Sequence, residues 1–256
     1  MSFFKSKFKS IKGDASAREF YRKKNKNISS IIVYAKSEKV KNLLNYDSIN
    51  KILIKNKILA PKILSENFNK NFIEIEDLGN KTLFDILKNK KQNKLNIYLK
   101  ILIILKKIQN IKTKKIKNFK NNFYKIPKYS SKLLYEEANL FLKWYVPSIY
   151  NEKKTKKINS ALRKIIKSLI KKIKLPNNIL VHRDFHVSNL MIKNNDIFVI
   201  DSQDAVYGNI TYDLASLIDD VRLRTSNNLK KKIYQKYLSL NKDKFNNKYF
   251  QNDFEI

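Results

Sequence analysis

Both histidines of this chain, one of its six arginines and three carboxylates fall in one stretch, residues 180–201, LVHRDFHVSNLMIKNNDIFVID. Asp184 stands five positions before Asn189, and Asp201 follows after two short apolar runs. One carboxylate facing an Asn/Asp pair suits phosphoryl transfer from a magnesium nucleotide. Asp184 would accept a hydroxyl proton, while Asn189 and Asp201 would offer hard oxygen ligands to Mg²⁺. Such a reaction leaves the protein little covalent chemistry, so positioning carries it. The competing interpretation is an ordinary surface loop that leads into a hairpin.

The flanking pattern supplies the positioning. Ile179–Val181 reads as a buried strand that delivers His182, Arg183 and Asp184 on a loop. Residues 190–192 and 197–200 read as a hairpin closed by Asn194-Asn195-Asp196, which returns Asn189 to the side of Asp201. The Asp184-x-x-x-x-Asn189 interval equals that of the loop H-R-D-L-x-x-x-N, and the hairpin with its closing aspartate makes the match specific. Asp213 opens a helix predicted over 211–220 and is expected to brace the loop by accepting backbone N–H bonds rather than to ligate a metal.

Upstream, residues 8–12, 19–23 and 31–35 read as strands, with Gly13-Asp14-Ala15-Ser16-Ala17-Arg18 between the first two. That is the layout of a phosphate-covering loop. Backbone N–H groups near Gly13 and Ser16 would approach phosphate, and Arg18 or Arg22 would add charge. Taken alone, the glycine would mark no more than a turn. A helix is predicted over 37–56 and strands over 60–64 and 72–76. Glu76-Asp77-Leu78-Gly79 then turns before Thr82, an N-cap for 83–88. Sheet, extended linker and helices together predict two lobes with a hinge, whose backbone from Glu76 to Leu78 would take the adenine.

Further helices are predicted over 95–111, 131–145, 155–173 and 227–240. The second carries Glu136, Glu137, Phe141, Trp144 and Tyr145, which either line a sugar pocket or form core and wet face. The third is amphipathic and either lies on anionic lipid or packs inward as a lobe helix. Beyond residue 240 the chain reads as polar and aromatic-spotted, without a defined element.

The 256 residues carry 55 Lys and Arg against 22 Asp and Glu, a net charge of +33, yet 43% are hydrophobic, enough for a sizeable core. The excess is nearly all lysine, spread through every segment beside Asn and Ile, three amino acids that share A/T-rich codons. It is therefore read as a solvated face rather than a specific nucleic-acid stripe, with non-specific anion binding at low salt. There is no cysteine, hence no disulfide or thiolate metal site. The basic N-terminus lacks an apolar h-region, and no run is long enough for membrane insertion, so a cytoplasmic protein is expected.

These residues resemble a family. His182-Arg183-Asp184-Phe185-His186, Asn189-Leu190, Asp201, Gly208 and Tyr212-Asp213-Leu214-Ala215 look like the aminoglycoside phosphotransferase/choline kinase superfamily of protein-kinase-like folds. Gly13 to Arg22, Glu76 to Gly79, Trp144-Tyr145, Gln203-Asp204-Ala205 and Asp219 to Arg222 extend the likeness toward bacterial amino-sugar kinases. Those enzymes phosphorylate the anomeric hydroxyl of N-acetylmuramate and N-acetylglucosamine in peptidoglycan recycling. The resemblance implies an α+β fold with a small antiparallel-sheet N-lobe, residues 1–76, and a larger helical C-lobe with the catalytic hairpin, residues 77–256. It implies ATP and Mg²⁺ as cofactors and a small-molecule alcohol as partner. Asp184 would be the catalytic base, and Asn189 and Asp201 the metal ligands. Gly13, Ser16, Arg18, Arg22, Glu76 and Leu78 would lie about the nucleotide, and His182 would brace the loop. Arg222 would meet a substrate carboxylate or pair with Asp219. The sequence departs from the family in three places. Ser202 stands where phenylalanine is expected, which would loosen packing there. No lysine lies within the third strand, so Arg18 or Arg22 substitutes, and the chain ends soon after Phe254, where such kinases continue. An aminoglycoside- or choline-type acceptor, or a non-catalytic nucleotide- or polyanion-binding protein, are the alternatives. The acceptor, ATP against GTP, and the oligomeric state are not legible.

Overall fold

A computed structural model describes residues 8–11, 18–25, 28–36, 40–89, 93–242 and 244–256. Gly13 and Ser16 lie outside the described residues. The N-terminal part is a five-stranded antiparallel sheet in the order β1-β2-β3-β5-β4, formed by Lys9–Ile11, Arg18–Asn25, Ile28–Ala35, Phe72–Glu76 and Ile63–Asn67 respectively. Strand β3 is central because its apolar residues serve both faces: Ile31, Val33 and Ala35 enter one cluster, while Ile32 meets Tyr21 in another. Strand β4 begins three residues later than predicted. Pro61 has no N–H to give a ladder, and its carbonyl instead accepts from the Asn50 side chain at 2.7 Å.

Helix α1, Val40–Lys55, joins the sheet to the rest of the molecule. Its Leu43 and Tyr46 pack on the sheet, and its Ile49, Ile52 and Leu53 enter the large core. That core is built mainly around α3, Lys94–Gln109, whose Ile101, Leu102, Leu105 and Ile108 are fully buried. Between them, α2, Leu83–Lys88, starts at Thr82 with a full capping box closed by Asp85. A hairpin that the sequence does not announce follows α3: β6, Lys115–Lys117, with β7, Phe123–Lys125.

The predicted helix over 131–145 divides. Helix α4 is Ser131–Leu140, and Phe141–Tyr145 widens to π geometry before α5, Val146–Ile149. Pro147 explains the change, since it has no N–H for the carbonyl of Lys143 and the helix re-registers with Val146 N–H bonding Phe141 O. Helix α6, Glu152–Lys172, starts three residues before its predicted start because Asn151 caps it, and it has no fully buried residue.

Strand β8, Ile179–Val181, pairs with β11, Val206–Gly208, a strand not foreseen. Strands β9, Leu190–Lys193, and β10, Asp196–Val199, form the expected hairpin. Its turn is Asn194-Asn195, both left-handed, as a two-residue turn that follows strand twist requires. Helices α7, Tyr212–Ile218, and α8, Asn227–Leu240, follow as predicted. The polar C-terminal stretch is in fact a helix, α9, Asn247–Glu255. Its Phe250 stacks on Phe245 at 4.3 Å and on Tyr237 at 5.5 Å. Asp253 accepts the N–H groups of Lys174 and Leu175 at 2.8 and 2.7 Å, which fixes the approach to β8. Outside glycine, the left-handed region holds Lys57, Asn71, Asn121, Arg183, Asn194, Asn195 and Asp201 among the described residues.

Candidate active site

Strand β8 ends at Val181, and the next two N–H groups, of His182 and Arg183, both point to the fully buried carboxylate of Asp213 at 2.8 and 3.0 Å. Burial pushes that carboxyl up to about 7, against the two donors that pull it down. The expected brace is therefore in place. His182 is also buried, which holds its imidazole below the ordinary range and neutral. Its Nε2 lies 3.0 Å from the carbonyl of Ile200, a group that can only accept, so Nε2 carries the proton.

Asp184 follows, its side chain exposed at the mouth of the loop. Asn189 folds back so that its Nδ2 donates to the Asp184 carbonyl at 3.0 Å and lies 3.3 Å from His186 Nε2. With the amide nitrogen committed there, Oδ1 is the acceptor the residue can offer to a cation. The Asn189 carbonyl takes the N–H of Ile200 at 3.0 Å, which places Asp201 next to it on the returning strand. Asp201 adopts φ 64°, turning its carboxylate out of the strand direction. Through the Asp184 and Asn189 carbonyls, Asn189 ties the Asp184 loop to the segment that carries Asp201.

The two candidate arginines part company. Arg18 crosses from the sheet to Asp201 Oδ1 and donates to Gln203 Oε1 at 3.0 Å. Arg22 is drawn elsewhere: its Nε and Nη2 hold Asp77 at 2.6 and 3.0 Å, and Nη2 also reaches the Gly79 carbonyl at 3.0 Å. Of the pair, Arg18 is the cation brought to the candidate metal carboxylate. In the segment where a hinge is expected, Leu78 is buried, and Glu76 pairs with Lys193 of the hairpin at 2.7 Å. Lys193 also donates to the Asp77 carbonyl at 3.1 Å. Arg222 pairs with Asp220 at 3.0 Å, not with Asp219, which takes Lys230.

Asn189 and Asp201 supply an amide oxygen and a carboxylate, the hard donors Mg²⁺ accepts. Among the described residues no group of three or more His, Cys, Asp or Glu could hold a metal unaided. Gln203, not foreseen as a site residue, orients Asp201: its Nε2 donates to Asp201 Oδ1 at 3.1 Å and to Asp204 Oδ2 at 3.0 Å. Ser202, in place of phenylalanine, is fully buried with its hydroxyl 3.4 Å from Asn50 Oδ1. Trp144 and Tyr145 are 67% and 54% exposed and stand outside the core. Neither a sequence pattern nor a charge run indicates Tyr129, which joins Glu137, Arg183 and Tyr212 behind the loop.

A family model described as the phosphotransferase enzyme family matches residues 7–245. Two curated relatives, from Neisseria meningitidis serogroup B and Pseudomonas putida, are 25% and 28% identical over 209 and 207 residues, 81% of this chain in each case. Each is named N-acetylmuramate/N-acetylglucosamine kinase, and the chain spans 59% and 58% of their lengths. Among solved structures, an aminoglycoside phosphotransferase from Streptomyces rimosus superposes with a TM-score of 0.66 at 10% identity, over 98% of this chain and 92% of that one. An aminoglycoside-3'-phosphotransferase of type VIII gives 0.64 at 10% identity, over 97% and 92%. The fold is thus the protein-kinase-like α+β fold of these structures.

Proposed function

Since the chain belongs to the phosphotransferase enzyme family, we propose that it transfers the γ-phosphoryl group of ATP to a hydroxyl of a small molecule. The acceptor is the anomeric hydroxyl of a cell-wall amino sugar, N-acetylmuramate or N-acetylglucosamine, as the names of the relatives suggest. The observation that carries the proposal is the shared locus of Asp184, Asn189 and Asp201, tied through the Asp184 and Asn189 carbonyls.

In this reading residues 1–76 cover the nucleotide and residues 77–256 hold the acceptor and the catalytic hairpin, with the adenine against the Glu76–Leu78 backbone. Bound MgATP would supply the phosphoryl group and the charge that neutralises the bridging oxygens. Asp184 takes the proton of the attacking hydroxyl. Asn189 and Asp201 hold the metal, and Gln203 fixes the Asp201 carboxylate. Arg18 supplies the cation that a third-strand lysine gives elsewhere. Gly13 and Ser16 would offer backbone N–H groups to phosphate. His182 and Asp213 hold the loop, and the cytoplasm provides the nucleotide.

Phosphorus NMR of ATP with N-acetylmuramate, N-acetylglucosamine and an aminoglycoside tests this, because it reports transfer and the position of the new ester together. Asp184→Asn should keep MgATP binding and lose transfer by about 10²–10⁴-fold, the usual worth of a general base. Asp201→Ala should weaken metal-dependent nucleotide binding. Full turnover in Asp184→Asn would sink the proposal, and an ester on the aminoglycoside alone would replace the acceptor.

A further inference from the structure

Arg183 sits between His182 and the proposed base with φ 77°, a region that residues bearing a Cβ seldom occupy. Asp213 holds its backbone from one side. The side chain is held from the other. Its Nη2 meets Glu137 Oε1, its Nη1 lies 3.4 Å from the Asp204 carbonyl, and the guanidinium lies 5.3 Å over the Tyr129 ring. Arg183 Nε is buried without a partner, so among the described residues the Glu137 contact is the one ion pair fixing this guanidinium. The Tyr129 hydroxyl donates to Glu137 Oε2 and lies 3.3 Å from the hydroxyl of Tyr212, the neighbour of Asp213. Glu137 therefore receives one donor on each oxygen. Helix α4 sets Leu133 and Leu134 against the cluster of Tyr129, Val181 and Val206, and Glu137, one turn beyond Leu133, lies on that same face.

We infer that Glu137 is a positioning residue for Asp184: by gripping Arg183 from α4 it maintains the left-handed turn that aims the base. The inference deepens the proposed function and rests on Asp184 being that base. Glu137→Gln replaces the ion pair with at most a neutral amide acceptor, beside a 3.4 Å carbonyl contact and the ring face of Tyr129. The turn would then relax toward a more populated backbone conformation, and Asp184 would lose its line to the acceptor. Nucleotide binding, which uses neither residue, would be spared.

The experiment compares wild type, Glu137→Gln, Arg183→Gln and the double variant, with ATP and N-acetylmuramate or N-acetylglucosamine. For Glu137→Gln, kcat should fall by about 10²-fold, the cost of a misplacement near 1 Å. KM for ATP should stay within about twofold, as expected when an interaction made only in the transition state is lost. The double variant should be no slower than Arg183→Gln. Amide hydrogen exchange at residues 182–186 should quicken in Glu137→Gln while exchange in α3 is unchanged. Retained kcat, losses that multiply in the double variant, or unaltered exchange at 182–186 would each overturn the inference. A wild type that phosphorylates none of the acceptors would overturn the proposed function instead, and the exchange result would still decide the role of Glu137.

Discussion

The contact between Arg22 and Asp77 offers a quantity that can be worked from its geometry. Asp77 accepts from Arg22 Nε at 2.6 Å, Arg22 Nη2 at 3.0 Å, Ser29 Oγ at 2.7 Å and Gly79 N at 2.8 Å. Burial works to raise its pKa, and these donors outweigh it, leaving the carboxyl below its ordinary range. The side chains of Arg22 and Asp77 are 13% and 5% exposed. Removing one partner of a buried pair costs about 3–5 kcal/mol, and the residual exposure of Arg22 puts Arg22→Ala at about 3 kcal/mol. Asp77→Ala should cost at least as much, because it strands the guanidinium with the Gly79 carbonyl and frees Ser29. The double variant should cost less than the sum, with a coupling of about 1.5–3 kcal/mol from the charge-assisted bonds. For a chain of this length ~3 kcal/mol lowers Tm by about 6–12 °C. Urea unfolding followed by circular dichroism would give the four free energies at constant slope. Single losses below about 0.5 kcal/mol, or strict additivity, would refute the buried bidentate pair.

Other consequences can be checked in the same assays. Gly79 has φ 82° and open space where a Cβ would stand, so Gly79→Ala should cost about 1 kcal/mol from backbone strain and Gly79→Asn less. At Gly208 a Cβ would lie 3.1 Å from Val181 Cγ2 and 3.4 Å from Tyr129 Cδ1, so alanine and asparagine should both destabilise by steric contact; equal tolerance at the two glycines would contradict this. Thr82→Ala should cost about 1 kcal/mol through the α2 capping box, read as a drop in urea midpoint. His182 has its folded pKa lowered by burial, so the unfolded chain binds the extra proton; stability from this group is complete above about pH 6.5 and is lost as pH falls below it. His182→Gln should flatten the acid limb of the stability profile, and an unchanged slope would show that the imidazole is not held neutral.

The hairpin between Asn189 and Asp201 is legible in the sequence because local rules suffice. Apolar runs of three and four residues, a polar turn and the Asp184-to-Asn189 interval fix strand, loop and return without distant contacts. The Asp213 brace is legible for a related reason, since a carboxylate at a helix start beside an apolar run has few other uses. What the sequence does not disclose depends on long-range partners. Arg18 and Arg22 look alike in one strand, and only the arrival of Asp77 and Asp201 from distant segments separates them. Strand β11 has three residues and exists because β8 lies beside it. Helix α9 is hidden by polar composition, yet Phe250 and Asp253 supply an apolar plug and a capping carboxylate that no periodicity count would weigh. Glu137 stands in the sequence among acids and aromatics on a helix, and its inward turn emerges only once Arg183 and Tyr129 are placed.

The chain has three glycines, and among the described residues four left-handed positions are filled by asparagine: Asn71, Asn121, Asn194 and Asn195. Asparagine tolerates that geometry through local bonding of its amide, but the same amide is thermolabile. Asn121 is followed by Asn122 and Asn195 by Asp196, small polar successors whose backbone nitrogen can attack the amide carbon. Each such event expels ammonia and leaves an aspartate or an isoaspartate, the latter with an extra carbon in the main chain. At Asn194-Asn195 that lengthening would fall in the turn that returns Asp201 to Asn189. Deamidation at these bends would appear as acidic species, and it would not require any helix to unfold.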